Sequence, residues 1–146
     1  VYAINACISD VDDATVVFNI ANNEGQSSSL FDFDTHLQEH PSVLFNDAVL
    51  MKTKRLDTII KDNHIAVKDY DMLVCDLQGA ELLALKGLGD YLWQFNSAYL
   101  EVNVKHLYKD CPLVGEIDEY LSKYGLIGVE EMILPFGWGD KLYKRL

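Results

Sequence analysis

The sequence is poor in positive charge: 12 Lys and Arg stand against 23 Asp and Glu, giving a formal charge of −11 over 146 residues and a pI near 4.6. No Lys/Arg stripe is available to displace counterions from a phosphate backbone, so no nucleic-acid partner is expected, and anionic membranes are disfavoured for the same reason. No apolar run approaches the ~20 residues that span a bilayer, and the first residues lack the basic stretch and apolar run of a secretory signal. Cysteine is scarce too: Cys7, Cys75 and Cys111 are odd in number, widely spaced and form no CxxC pair. That usage argues against a disulfide framework and suits a reducing, cytoplasmic compartment.

Several catalytic signatures are also missing. There is no GxSxG elbow, no Walker-type glycine-rich run and no GxGxxG. His36, His40 and His64 form no HExxH, and no Cys/His set has zinc-ligand spacing, so no structural metal site is expected. What remains is ample apolar material. With 49% hydrophobic and 11% aromatic residues, the chain belongs among globular proteins, and its length fits one domain over 1–146.

Apolar patterning predicts strands over 1–8 and 14–20, with the second as a hairpin partner of the first, and a small, polar loop over 21–29 that resembles a lid. Residues 30–47 show no clean period beyond a possible short helix around His36 and His40. A strand over 49–54 passes into a helix over 56–61. The unbroken apolar run 72–75 predicts a parallel strand buried on both faces. A helix follows, with Ala80, Ala84, Leu85, Leu88 and Leu92 on one face despite Gly87 and Gly89, and then a strand over 98–102. Leu113, Ile117, Tyr120, Leu121 and Tyr124 mark an amphipathic helix opened by Pro112 and closed by Gly125. Strands over 126–134 and 141–146 flank a turn-rich link at 135–140 and close the chain as a hairpin. This order implies an α/β sheet, mostly parallel with an antiparallel edge, whose ligands sit at strand carboxyl ends.

Three places carry candidate chemistry. Asp76-Leu77-Gln78-Gly79-Ala80-Glu81 sets a carboxylate and an amide at a strand's carboxyl end, with a glycine where backbone must approach closely; Asp76 could equally cap the following helix. Glu101 interrupts the apolar strand Tyr99-Leu100-Glu101-Val102, where a carboxylate is costly unless it meets a partner or ligand. His106 follows in a loop, where it could take a proton from a hydroxyl or simply be exposed. Asp140 is readable as a turn residue bonding its own backbone or as a residue at the site rim.

Taken in order, Asn5-Ala6-Cys7-Ile8-Ser9-Asp10, Ser27-Ser28-Ser29-Leu30, Thr53-Lys54-Arg55-Leu56-Asp57, the block from Asp76 to Glu81 with Leu85-Lys86-Gly87, Glu101-Val102 and Trp138-Gly139-Asp140-Lys141-Leu142-Tyr143 resemble the FkbM-type S-adenosylmethionine-dependent methyltransferases. The resemblance covers almost the whole chain and implies a class I Rossmann-like sheet. It also implies that Ala6, Cys7 and Ile8 border the cofactor's adenine, while Asp76 and Gln78 lie near its methionine and the methyl acceptor. The family's glycine-rich turn and its ribose-holding acidic residue would precede Val1, so the sheet is expected to lack its first two strands and to show a gap between the strand at 1–8 and the strand at 72–75.

The activity so implied is O-methylation of a sugar or a sugar-bearing natural product, with S-adenosylmethionine as cofactor. The catalytic set expected is His106 as base, oriented by Glu101 or Asp76; alternatively Asp76 and Glu101 hold a divalent ion that acidifies the hydroxyl. Where methylases of DNA amino groups carry an Asn/Asp-Pro-Pro-Tyr/Phe turn, this chain reads Asp76-Leu77-Gln78-Gly79. The rival reading is a non-catalytic interaction module that has lost the cofactor loop.

Overall fold

In the computed structural model, which describes residues 3–146, seven strands are arranged as two sheets rather than one. In the first, β1 (Cys7–Ile8), β3 (Phe45–Lys54) and β2 (Thr15–Ala21) lie in the order β1-β3-β2. The second holds β4 (Met72–Cys75), β5 (Ser97–Asn103), β7 (Trp138–Arg145) and β6 (Leu126–Ile133) in the order β4-β5-β7-β6. Only β1–β3 and β4–β5 pair in parallel; β2–β3, β5–β7 and β6–β7 are antiparallel. By direction one strand in each sheet runs against the others, β2 in the first and β7 in the second, and β6 and β7 form the expected C-terminal antiparallel hairpin; what differs is that the reversed strand of the second sheet is not at its edge, because β7 inserts between β5 and β6. β1 and β4 do not pair, and each has one strand neighbour among the described residues.

Local expectations also need adjustment. The strand over 1–8 reduces to Cys7–Ile8, since β3 offers it only Thr53 and Lys54, while residues 1 and 2 lie outside the described residues. β2 pairs with β3 rather than with β1. β4 has the predicted bounds, yet its side chains are not buried on both faces: Met72 and Val74 are exposed, since no described residue packs over that side of the sheet at β4. Tyr99, Ile127 and Met132 extend this bare face across β5 and β6.

The opposite face carries the core. Cys75, Ala98, Leu100, Val102 and Tyr143 meet Leu85, Leu88, Leu92, Ile117 and Leu121 there. These come from α3 (Glu81–Leu88), the 3-10 turn that continues it over Gly89–Gln94, and α4 (Val114–Ser122). α4 starts where the Leu113 amide donates to Glu116 Oε2 at 2.9 Å, and the chain leaves it through Gly125 at φ +73°. α2 (Leu56–Asp62) and the four-residue α1 (His36–Glu39) complete the helices. Leu121 is fully buried, so Leu121→Ala is expected to cost about 2–5 kcal/mol in urea denaturation.

The two sheets are joined through α3. A Cβ on Gly87 would collide with the Ser9 carbonyl oxygen and lie 3.4 Å from the Leu56 amide nitrogen. The glycine thus lets the end of β1 pass against the helix, at a position where glycine otherwise weakens a helix.

Candidate functional site

The site is built where β4 stops. Between Cys75 and α3 the chain reverses sharply, with Gln78 at φ +52° and Gly79 at φ +99°. A Cβ on Gly79 would stand 3.1 Å from Cys111 Cβ and 3.4 Å from Tyr108, so conformation and space both select glycine. Glu81, in the first turn of α3, reaches back so that its Oε1 accepts from the amides of Leu77 at 2.7 Å and Gly79 at 3.3 Å. Ser29 Oγ donates to the Gln78 carbonyl oxygen at 2.7 Å. The N-cap of α3 is Ala80, so Asp76 is not the capping residue and its carboxylate is left for the site.

Gln78 spends its strained backbone on a central side-chain position. Its Nε2 donates to Asp76 Oδ1 at 2.6 Å and to Glu101 Oε2 at 3.1 Å, while its Oε1 accepts from Tyr108 Oη at 2.7 Å. Glu101 sits on β5 opposite Asp140 of β7, and Asn103 sits opposite Trp138. Asp140 is therefore a strand residue and not the turn residue its neighbours suggested, because β7 begins at Trp138.

These groups open into a cavity of about 580 Å³ whose wall includes Asp76, Gln78, Glu101, Tyr108, Trp138 and Asp140. His36 and His40 close another side, and no Lys or Arg lines it. A second hollow of about 450 Å³ shares Gln26, Asp76 and Gln78 and adds Phe18 and Ile20. Two ligand-sized spaces thus meet at the Asp76–Gln78 wall.

Burial, reinforced by the charges of Asp76 and Glu81 and only partly offset by the Gln78 hydrogen bond, pushes the Glu101 carboxyl up to about 8. Glu101 is therefore mostly protonated at neutral pH but able to ionise. Burial also raises Glu81, against the pull of its backbone donors. His36 moves the other way: burial, then the neighbouring His40, lowers it to about 4 and keeps the ring neutral.

The structure brings Asp76, Gln78, Glu101 and Asp140 together. It does not bring His106 to them: that residue is exposed, its Nδ1 lies 2.9 Å from the Cys111 carbonyl oxygen, and it does not line the cavity. Ala6, Cys7 and Ile8 lie in and beside β1, in the other sheet, with Cys7 buried, and do not line it either. Sequence reasoning missed Tyr108, Trp138 and His36 as site residues. Tyr108 follows His106 by two positions in a loop without periodicity, so no pattern says which ring turns inward. The lid-like loop contributes Asn23, Gln26 and Ser27 to the wall.

Among the described residues, no group of three or more His, Cys, Asp or Glu is arranged to hold a metal ion. No described helix is long and apolar enough to cross a membrane.

No curated protein and no solved structure matches the chain. The profile of the methyltransferase FkbM domain matches residues 2–127 and so takes in Asp76, Gln78, Glu101 and Tyr108, ending at the second residue of β6 before Trp138 and Asp140. With most of its length inside that match, the chain belongs to the FkbM methyltransferase domain family.

Proposed function

We propose that this chain is an S-adenosylmethionine-dependent O-methyltransferase acting on a hydroxyl of a neutral sugar or sugar-bearing compound, with Glu101 as the proton acceptor. The observation that carries the reading is Glu101 itself: a buried carboxyl on a strand end, tied through Gln78 to Asp76, in a cavity without a cation. Family membership supports a Rossmann-like cofactor site, for which the carboxyl ends of β4 and β5 are the position we propose.

The residues present suit such a cofactor. Three carboxyl groups and no Lys or Arg line the larger cavity, an environment that attracts a sulfonium and repels phosphate. Asp76 and Gln78 would hold the methionine end from the wall shared by the two cavities, whereas the adenine border expected at Ala6, Cys7 and Ile8 lies on neither wall. When bound, S-adenosylmethionine supplies an electrophilic methyl group on a cationic sulfur. Ionised Glu101 would take the proton of the acceptor hydroxyl while that oxygen takes the methyl group from sulfur, which leaves as a neutral thioether. Its elevated affinity for protons makes it a stronger base than an ordinary carboxylate. Gln78 keeps Glu101 and Asp76 in place, and Tyr108 fixes the orientation of the Gln78 amide by donating to its oxygen. The proton-accepting role expected of His106 thus passes to Glu101. The free, buried thiols of Cys7, Cys75 and Cys111 agree with a cytoplasmic setting.

The exposed apolar face at Met72, Val74 and Tyr99, beside the single-partnered edge of β4, favours a second reading as a non-catalytic interaction module. One assay separates the two: transfer of labelled methyl from S-adenosylmethionine to methyl α-D-glucopyranoside and related glycosides, with and without excess chelator. Methylated glycoside in both is the result expected if Glu101 is the base. Transfer only without chelator would reinstate an Asp76–Glu101 metal, and no transfer to any glycoside would favour the module.

A further inference from the structure

Buried polar side chains in folded proteins almost always have hydrogen-bond partners, so those that lack one mark places where something else is meant to sit. Among the described residues two buried side-chain polar atoms have no partner, His36 Nδ1 and Asn103 Oδ1. One lies on the cavity wall and the other behind it, since Asn103 is not itself a lining residue. His36 lines the larger cavity, and Asn103 lies two residues beyond Glu101 on the same face of β5, opposite the cavity residue Trp138. We propose that His36 and Asn103 form a recognition subsite for a neutral, hydroxyl-bearing ring.

The surroundings choose the ligand class. His36 is 5% exposed and lies flat on Phe33, with ring centroids 4.1 Å apart and planes 10° from parallel, and Tyr108 stands 5.5 Å away. The ring is thus held by stacking while its Nδ1 has no hydrogen-bond partner. Its lowered proton affinity keeps it uncharged, so it presents one donor and one acceptor, as a hydroxyl-rich ligand requires. Asn103 adds an amide, which both donates and accepts. The carboxyl groups of Asp76, Glu101 and Asp140 accept from hydroxyls when ionised, and with no Lys or Arg in the wall they disfavour a phosphorylated ligand. Tyr108 and Trp138 supply aromatic surface of the kind on which a pyranose ring stacks. Neither unpartnered atom is reached by solvent in the free protein, so a ligand in the cavity would complete them only once the side chains turn toward it.

The inference rests on the acceptor half of the proposed function and is separable from its cofactor half. The test is calorimetric titration with methyl α-D-glucopyranoside and myo-inositol as neutral probes, glucose 6-phosphate as an anionic one, and S-adenosylhomocysteine in parallel. His36→Phe keeps the stack on Phe33 and removes both nitrogens; Asn103→Leu removes the amide at similar size and serves if the first variant fails to fold. The wild type is expected to bind a neutral probe in preference to the phosphate, and each variant to weaken that binding by about tenfold or more, with S-adenosylhomocysteine affinity and melting temperature unchanged or raised. Neutral-probe binding that survives both substitutions, or a wild type that binds neither neutral probe, overturns the subsite. If S-adenosylhomocysteine still binds in the second case, the transferase reading stands while the subsite falls.

Discussion

Glu101→Gln is expected to abolish methyl transfer while making the protein harder to unfold above pH 8. The amide is isosteric and its oxygen can still accept from Gln78, but it cannot take a proton. Removing a positioned base typically lowers turnover by about 10²–10⁴. The stability effect has the opposite sign. Glu101 is raised from an ordinary 4.5 to about 8 in the fold, so between those values the folded state holds a proton that the unfolded chain has released. Stability therefore falls as pH rises from about 4.5, and the loss is complete above about 8. At about 1.4 kcal/mol per pH unit this amounts to something on the order of 5 kcal/mol. Gln carries no such penalty. Melting curves at pH 5 and pH 9 should show the variant gaining on the wild type at the higher pH, while kcat/KM of the wild type climbs with pH toward a plateau above about 8. A variant that retains full transfer, or that gains nothing at pH 9, contradicts the role given to Glu101.

Gly87→Ala is expected to be among the most damaging single-methyl additions in the chain. The new carbon would meet the Ser9 carbonyl oxygen, which is backbone and held in turn by the Ser9 amide donating to the Lys54 carbonyl oxygen at 3.0 Å. Relief requires α3 to move away from β1, loosening the contact that joins the two sheets. Overpacking of this kind costs about 1–3 kcal/mol, and more where the obstructing atom is backbone. Gly115 provides the control. A Cβ there meets nothing within 4 Å, so Gly115→Ala in α4 should stabilise by up to about 1 kcal/mol. Urea midpoints of the two variants should move in opposite directions.

The elements most legible in the sequence are those whose cause is local. The apolar run at Met72–Cys75 gave correct strand bounds, and the spacing of Leu113, Ile117, Leu121 and Tyr124 gave α4 because one face of it meets the core. Pairing was not legible, since a strand's neighbours are set by residues far away in the chain: β2 could not announce β3 as its partner, nor β7 its place between β5 and β6. An apolar run likewise cannot tell what covers it, which is why Val74 reads as core and is exposed.

The site divides along the same line. Asp76 and Glu101 were visible because a carboxylate at the end of an apolar strand is conspicuous, and Gly79 because a tight reversal needs it. His106 and Tyr108 are neighbours in an irregular loop, and only the pairing of Phe33 with Tyr108 turns the tyrosine inward and leaves the histidine outside. Gly87 looked like a flaw in a helix until the approach of Ser9 explained it.

Calorimetric titration of the chain with S-adenosylhomocysteine tests the central claim most directly. One binding site, weakened by Asp76→Ala with the fold retained, is the result the account predicts, since Asp76 stands on the wall where the two cavities meet. A well-folded chain that takes up no S-adenosylhomocysteine, or binds it equally well without the Asp76 carboxylate, would contradict it.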